Sequence, residues 1–351
     1  MQQRKMTLTF TKRLLIIGLF SCSSFSLLAD SNSDTANNDI VKALEEDEIV
    51  LAKEMFSRLT EIQKNDLAGK ILTSRILFRE DKTEESYDIL EQLKDDNKDN
   101  AEVSYYFGRS AIVMAQKVSI FSKLSYASDA LEAWEHTLSL NPSHIEALEG
   151  LIGFHIGAPS IAGGDIEQAL KYSQTLTTLE PEKGYANLAK VYWHKEQNQL
   201  AEKAITDGLA IAPNSAQLYF TQGNAYSRQA ENDSKLWEKA RFSFNKTIEN
   251  TESDEVKQHA LYQLGKVAVN SGEETQLGIE ALTQLLAMEG EQYQQWGKYR
   301  LAELYLNDKQ LIKANEFIAL INYQDDDDLE DKVKSLTKKI KKAVKSQHKT
   351  S

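Results

Sequence analysis

Three features of this 351-residue chain predict an all-α fold, a solenoid of about seven helix pairs closed by a C-terminal capping helix. Apolar and small residues recur at helical spacing in every long segment, and no segment alternates with a period of two. With only 16 Gly and 4 Pro against 41% hydrophobic and 27% charged residues, the composition favours helices and leaves little room for strands. A small residue also returns at a nearly constant interval along most of the chain, as stacked repeats require.

At the N-terminus, residues 1–29 read as an export signal peptide. Arg4, Lys5, Lys12 and Arg13 form its basic part, an apolar run begins at Leu14, and a serine-rich stretch ends at Ala29 before Asp30. The 16 residues from Leu14 to Ala29 contain four serines and are short and polar for a membrane span. A second reading uses the single cysteine. Leu19-Phe20-Ser21-Cys22 resembles the lipobox of bacterial lipoproteins, which would make Cys22 a lipidated N-terminus, although Phe20 departs from that pattern. Cleavage at Ala29 leaves no cysteine, which excludes disulfides, thiolate catalysis and cysteine-bound metals. Residues 30–35 are expected to be a disordered N-terminus, and 36–322 one repeat domain.

The clearest unit is EKGYANLAKVYWHKEQNQLAEKAITDGLAIAP, Glu182 to Pro213. Tyr185, Leu188, Ala189 and Tyr192 share a face of a first helix, and Ala201, Ile205 and Gly208 share a face of a second. Pro213 closes the pair. The pattern resembles the tetratricopeptide repeat, in which one small residue in each helix lets the two approach closely. On that template the second-helix small residue recurs at Ala52, Ser86, Ala130, Ala169, Ala201, Ala240, Gly278 and Ala314, with gaps of 34, 44, 39, 32, 39, 38 and 36. The first-helix position is filled by Gly108, Ala189, Gly223, Gly265 and Ala302. The resemblance implies stacked pairs around a continuous core, with the first helices lining a concave groove.

The stretch FHIGAPSIAGGDIEQALKYS, residues 154–173, is the most glycine-dense part of the chain. It falls between two helices, where the gap of 39 calls for extra residues. Pro159 blocks continuation of the first helix, Gly163 and Gly164 permit a turn, and Asp165 with Gln168 makes a D-x-x-Q cap. It lacks a preceding strand, a GK[ST] and a GxGxxG, so a phosphate loop is not indicated. The run from Tyr105 to Asp165 also resembles a group of exported bacterial tetratricopeptide proteins that carry an AP-x-x-AGG-[DS] inter-helix turn.

At the other end, Asp325 to Asp328 with Glu330 and Asp331 predict an acidic linker over 323–331. The lysine-rich segment 332–351 follows as a capping helix with Leu329, Val333, Leu336, Ile340 and Val344 on one stripe. Membrane contact is open only to this basic helix or to a lipid on Cys22.

The charge is unevenly spread. Four basic residues precede Leu14 and eight lysines follow Asp331, leaving 29 of the 41 basic residues against all 53 acidic ones, a net of −24 for the body. Such a surface repels nucleic-acid phosphates. The six histidines show no HExxH or similar spacing, and no nucleophile elbow or paired-carboxylate signature occurs, so the sequence indicates neither an enzyme nor a cofactor or metal.

The resemblance implies that groove-facing positions of the first helices are Tyr105, Arg109, Glu149, Lys190, Trp193, His194, Phe220, Asn224, Arg228, Tyr262, Lys266, Trp296 and Tyr299. Their aromatics and cations, set in an acidic body, point to a protein or peptide partner bearing carboxylates. The lysine–asparagine carboxylate clamp of chaperone-binding relatives is not carried over, because the fifth positions are Ala186, Phe220 and Tyr262. The expectation is a non-catalytic scaffold for protein–protein interaction in the periplasm of a Gram-negative cell envelope. The alternative is an outer-membrane lipoprotein of the same fold that holds a small ligand or serves a transport or assembly complex.

Overall fold

The computed structural model describes residues 24–290, 293–324 and 326–350, and all regular structure among them is helical. Residues 1–23, which include the basic and apolar parts of the expected export signal and Cys22, lie outside the described residues. Eight consecutive pairs follow. They are α1 (Ser24–Glu45) with α2 (Ile49–Ser57), α4 (Leu67–Arg79) with α5 (Thr83–Asp96), α6 (Ala101–Lys117) with α7 (Ile120–Leu140), and α8 (Ile145–Gly157) with α9 (Ile166–Leu179). Then come α10 (Pro181–His194) with α11 (Asn198–Ile211), α12 (Ala216–Gln229) with α13 (Leu236–Asn250), α14 (Asp254–Ser271) with α15 (Thr275–Ala287), and α16 (Gln294–Asn307) with α17 (Leu311–Ala319). The single turn α3 (Glu61–Asn65) separates the first two pairs, and α18 (Asp327–Thr350) ends the chain.

Eight pairs are one more than the count expected over 36–322, and they match the eight second-helix small residues from Ala52 to Ala314; the first pair begins inside the segment assigned to the export signal. Residues 30–35, expected to be disordered, belong to α1, whose span from Ser24 to Glu45 contains no glycine or proline to interrupt it. The single domain expected over 36–322 instead divides into two compact units after Tyr126. The division lies within α7, in the widest gap of the small-residue spacing, the 44 residues between Ser86 and Ala130.

Local chemistry sets the helix starts. Asp66, Asn100, Asp165, Ser215 and Ser253 each accept a backbone N–H from the first turn of the following helix, and Thr60 with Gln63 completes a reciprocal capping box. Pro181 occupies the first turn of α10, where its missing N–H has no partner to lose.

Packing then follows the small residues. Ala52, Ala130, Ala169, Ala201, Ala240 and Ala314 are fully buried, as are Ala189 and Ala302, and Ser86, Gly108, Gly223, Gly265 and Gly278 are buried too. At Gly265 a Cβ would stand 2.4 Å from Leu282, and at Gly223 it would stand 2.8 Å from the Phe244 ring. Helices approach this closely only where one of them has no side chain.

In the second unit, consecutive first helices pack on one another: α8 on α10, α10 on α12, α12 on α14, α14 on α16. Among the described residues no comparable packing joins successive second helices. The stack therefore draws in on the side of the first helices and opens on the other. α18 closes this unit, with Leu329, Val333, Leu336 and Ile340 buried in the same core as Leu301, Leu304 and Ala314. It begins at Asp327, so residues 327–331 of the expected acidic linker are helical. Asp326 explains the start, since its carboxylate accepts the Leu329 N–H at 2.9 Å. Four of the five stripe residues of α18 are thus buried against the unit, with Val344 partly buried beside them. No helix of the described residues is long and apolar enough to cross a membrane.

Candidate functional site

The first-helix side of the second unit carries nine of the thirteen expected groove residues in a state that leaves them available. Lys190, His194 and Arg228 are exposed, and Trp193, Phe220, Asn224, Tyr262, Lys266 and Trp296 are half-buried. They come from α10, α12, α14 and α16, the helices that pack in succession.

Two of the expected residues are otherwise engaged. Glu149 is held by Lys183 at 3.0 Å, an ion pair that ties α8 to α10. Tyr299 is 6% exposed and belongs to the core. Its position in the repeat turns it toward the groove in a middle pair, but α18 packs on α16 and covers it. Its hydroxyl donates to Glu303 at 3.0 Å, and burial pushes its pKa up. Tyr105 and Arg109 lie on α6 in the first unit, so they form no part of the second unit's surface.

Aromatic rings run together along this side. Phe220 stacks on His259 with centroids 5.9 Å apart, His259 meets Tyr293 edge-on at 5.1 Å, and Tyr293 stacks on Tyr262 at 4.8 Å. All four are half-buried, so each leaves part of a face to solvent. At the α18 end, Tyr262, Tyr293, Trp296, Arg300, Asp328 and Lys332 border an open depression of about 290 Å³. The Trp296 indole donates to Asp326 at 3.0 Å, which fixes the ring beside the start of α18.

The cations on this side are poorly compensated. Arg228 and Lys266 have no ion-pair or hydrogen-bond partner among the described residues. Lys190 reaches only the Asn187 side-chain oxygen at 3.3 Å. Although exposed, its ammonium sits among protein walls that displace bulk water, and this desolvation lowers its pKa against the opposing pull of Glu149. The buried indole N–H of Trp193 also lacks a partner. Such groups gain when a ligand supplies acceptors.

The expected groove set omits His259 and Tyr293. His259 is one turn before Tyr262, at the second position of that repeat unit, which the template does turn toward the groove, and Tyr293 precedes α16 altogether. The inserted turn between α8 and α9 is structural, as its sequence implies. Ser160–Ala162 make one 3₁₀ turn, Gly163 takes a left-handed φ of 91°, and Asp165 accepts the Glu167 N–H at 2.9 Å and the Gln168 N–H at 3.4 Å. Beside it, His155 is buried with neither ring nitrogen in a hydrogen bond. Burial depresses its pKa, and the nearby Gly163 backbone, Asp165 and Glu135 offset this only in part. The ring Nδ1 of His144 lies 3.4 Å from the Ala147 N–H at the start of α8 and 3.3 Å from the Glu146 carboxylate, and the neighbouring His144 ring holds that carboxyl down at about 2. Among the described residues no group of three or more histidines and carboxylates is placed to hold a metal.

No protein-family model matches the chain, and no curated protein matches it. Solved structures do. The human IFIT1 dimer with PPP-AAAA is 15% identical, with 92% of this chain and 78% of that chain covered and a TM-score of 0.53. A tetratricopeptide repeat protein from Parabacteroides merdae is 13% identical, with 78% and 99% covered and a TM-score of 0.50. At these identities the likeness shows the fold alone, which is that of a tetratricopeptide-repeat α-solenoid.

Proposed function

We propose that this chain is a non-catalytic scaffold that grips a protein or peptide partner with the first-helix side of its second unit. One observation carries the reading. The exposed or half-exposed cations Lys190, Arg228 and Lys266 lack carboxylate partners and share that side with the aromatic run from Phe220 to Tyr262. Aromatic faces supply contact area at low entropic cost, and cations without counterions in an acidic body select individual carboxylates, so the partner is a protein or peptide segment that bears carboxylates. RNA, of the kind seen with human IFIT1, fits less well. A body of net charge −24 repels a polyanion along its length, whereas an acidic side chain needs only one local cation.

The site of action in this reading is the periplasm of a Gram-negative cell envelope. Its basis is the sequence pattern of residues 1–29 and the resemblance of Tyr105 to Asp165 to exported repeat proteins. Mass spectrometry of the mature protein separates the soluble form from the lipidated one. A free Asp30 N-terminus supports the first, and a diacylated Cys22 the second.

Partner binding is tested by Lys190→Glu combined with Lys266→Glu. The double variant is expected to lose partner capture while circular dichroism shows that it keeps its helix content, since neither lysine makes an ion pair among the described residues. Unaltered capture by a folded double variant would remove this surface from consideration.

A further inference from the structure

α18 puts its two faces to different use. Leu329, Val333, Leu336 and Ile340 are buried against the second unit, with Val344 partly buried beside them. At 3.6 residues per turn, that anchoring turns Lys338, Lys341, Lys342 and Lys345 away from the unit, with Lys339 flanking them, and all five are exposed.

Charge is also divided along the helix. In its first turns the lysines have carboxylates: Lys332 lies 3.5 Å from Asp328, and Lys334 stands 2.9 Å from Glu330 and 3.9 Å from Asp331. From Ser335 to the last residue the chain contains no Asp or Glu. None of Lys338, Lys339, Lys341, Lys342 and Lys345 has an ion-pair or hydrogen-bond partner for its ammonium among the described residues, and α16 and α17, on which α18 packs, supply none. In a chain with 53 acidic and 41 basic residues, five uncompensated cations in eight positions are a sharp local reversal of sign.

We infer that the lysine face of α18 docks the second unit, by its α18 end, onto an anionic lipid surface. The spread of the charges decides the occupant. The five stems rise only about 10 Å along the helix but fan over roughly 160° of its circumference. A strand of phosphates or an acidic peptide is narrow and meets one file of such a fan, whereas a plane of headgroups lies within reach of all five flexible stems. Each lysine is a point charge without the fork that selects one oxyanion, which suits diffuse charge. α18 contains no Trp, Tyr or Phe, and its apolar face is engaged in the unit, so attachment is electrostatic and stays at the headgroups. The acidic body does not oppose it strongly, because the membrane's potential falls off within a Debye length of about 8 Å at physiological ionic strength. This surface is separate from the one proposed for partner binding, and either stands without the other.

The test is co-sedimentation of the mature protein, purified from producing cells, with vesicles of phosphatidylcholine alone and of equal parts phosphatidylcholine and phosphatidylglycerol. Binding is expected only to the anionic vesicles. It should be lost as ionic strength rises from about 0.1 M to about 1 M, where the screening length falls from about 10 Å to about 3 Å. A lysine near an anionic surface strengthens attachment about fivefold, so the triple variant Lys338→Gln, Lys342→Gln, Lys345→Gln should bind about a hundredfold more weakly. Arginine at the same three positions should preserve binding. Circular dichroism checks the helix content of each variant, and if the glutamine triple fails to fold, Lys339→Gln with Lys341→Gln decides, with an expected loss of about twentyfold. Equal sedimentation with both kinds of vesicle, or attachment indifferent to salt, would overturn the inference, since a lipid on Cys22 or a retained N-terminal leader gives that pattern without α18. Affinity unchanged in the folded glutamine variants would also overturn it. So would equally tight binding of a DNA duplex at matched phosphate concentration, which would make the face a general polyanion site.

Discussion

The two units solve the same packing problem with different chemistry. In the second, the close approaches are made by side chains over glycines, the Phe244 ring over Gly223 and Leu282 over Gly265. In the first, the seam between α5 and α6 is a hydrogen bond between two buried hydroxyls, Ser86 and Ser110, 3.0 Å apart. Either seam brings two helices together, and in the first unit the hydroxyl pair lies beside a cleft lined by Arg75, Arg79 and Arg109. The repeat fixes where helices meet, and the residues flanking the meeting point decide what the surface can bind.

The largest effect should come from emptying the apolar seam. Phe244 is fully buried, and Phe244→Ala is expected to destabilise the chain by about 3–5 kcal/mol in urea unfolding, since the ring over Gly223 leaves a cavity that nearby helices cannot close. The polar seam should respond differently. Ser86→Ala leaves the buried Ser110 hydroxyl without its partner and should cost about 1–3 kcal/mol, while the double variant with Ser110→Ala should recover part of that loss. A double variant that costs the sum of the two singles would mean that the serines act only as packing atoms and that the contrast between the seams is one of shape.

The inserted turn between α8 and α9 belongs to neither kind of seam. Asp165→Ala removes a cap at the start of α9 and is expected to cost about 0.5–2 kcal/mol without changing partner capture. Unchanged stability with lost capture would make the turn a binding element.

His155 gives the smallest effect and the sharpest contrast with Ser86–Ser110, because here the second unit buries a polar group with no partner. Its folded-state pKa lies below the ordinary 6.5, so at acidic pH the unfolded chain binds the proton more readily. Stability is expected to be level above pH ~6.5 and to fall as pH drops through that value toward the folded pKa, then level off. In His155→Gln this part of the pH dependence should vanish, as read from urea midpoints at neutral and mildly acidic pH.

Much of this was legible in the sequence. Thirteen small residues placed by spacing alone are all buried at helix contacts, because steric exclusion at a close approach leaves few residue types to choose from. Side-chain exposure was less legible, since it depends on what lies over a position as well as on its register. Tyr299 has the register of a groove residue and is buried because α18 covers α16. Tyr293 has no register in a first helix, yet it stacks on Tyr262 from the preceding turn. The spacing of four residues puts Arg75 and Arg79 on one face of α4, but that Arg109 lines the same cleft depends on how α4 packs against α6.

The proposed binding surface is tested most directly by site-specific photocrosslinking in living cells. A photoreactive residue is placed at His194 or Asn224 on the first-helix side, and at Phe242, a 54% exposed residue of the second helix α13, as the opposing position. The account predicts a discrete crosslinked partner from His194 and Asn224 that is lost when Lys190→Glu and Lys266→Glu are added, and none from Phe242. A partner captured from Phe242 alone would contradict it.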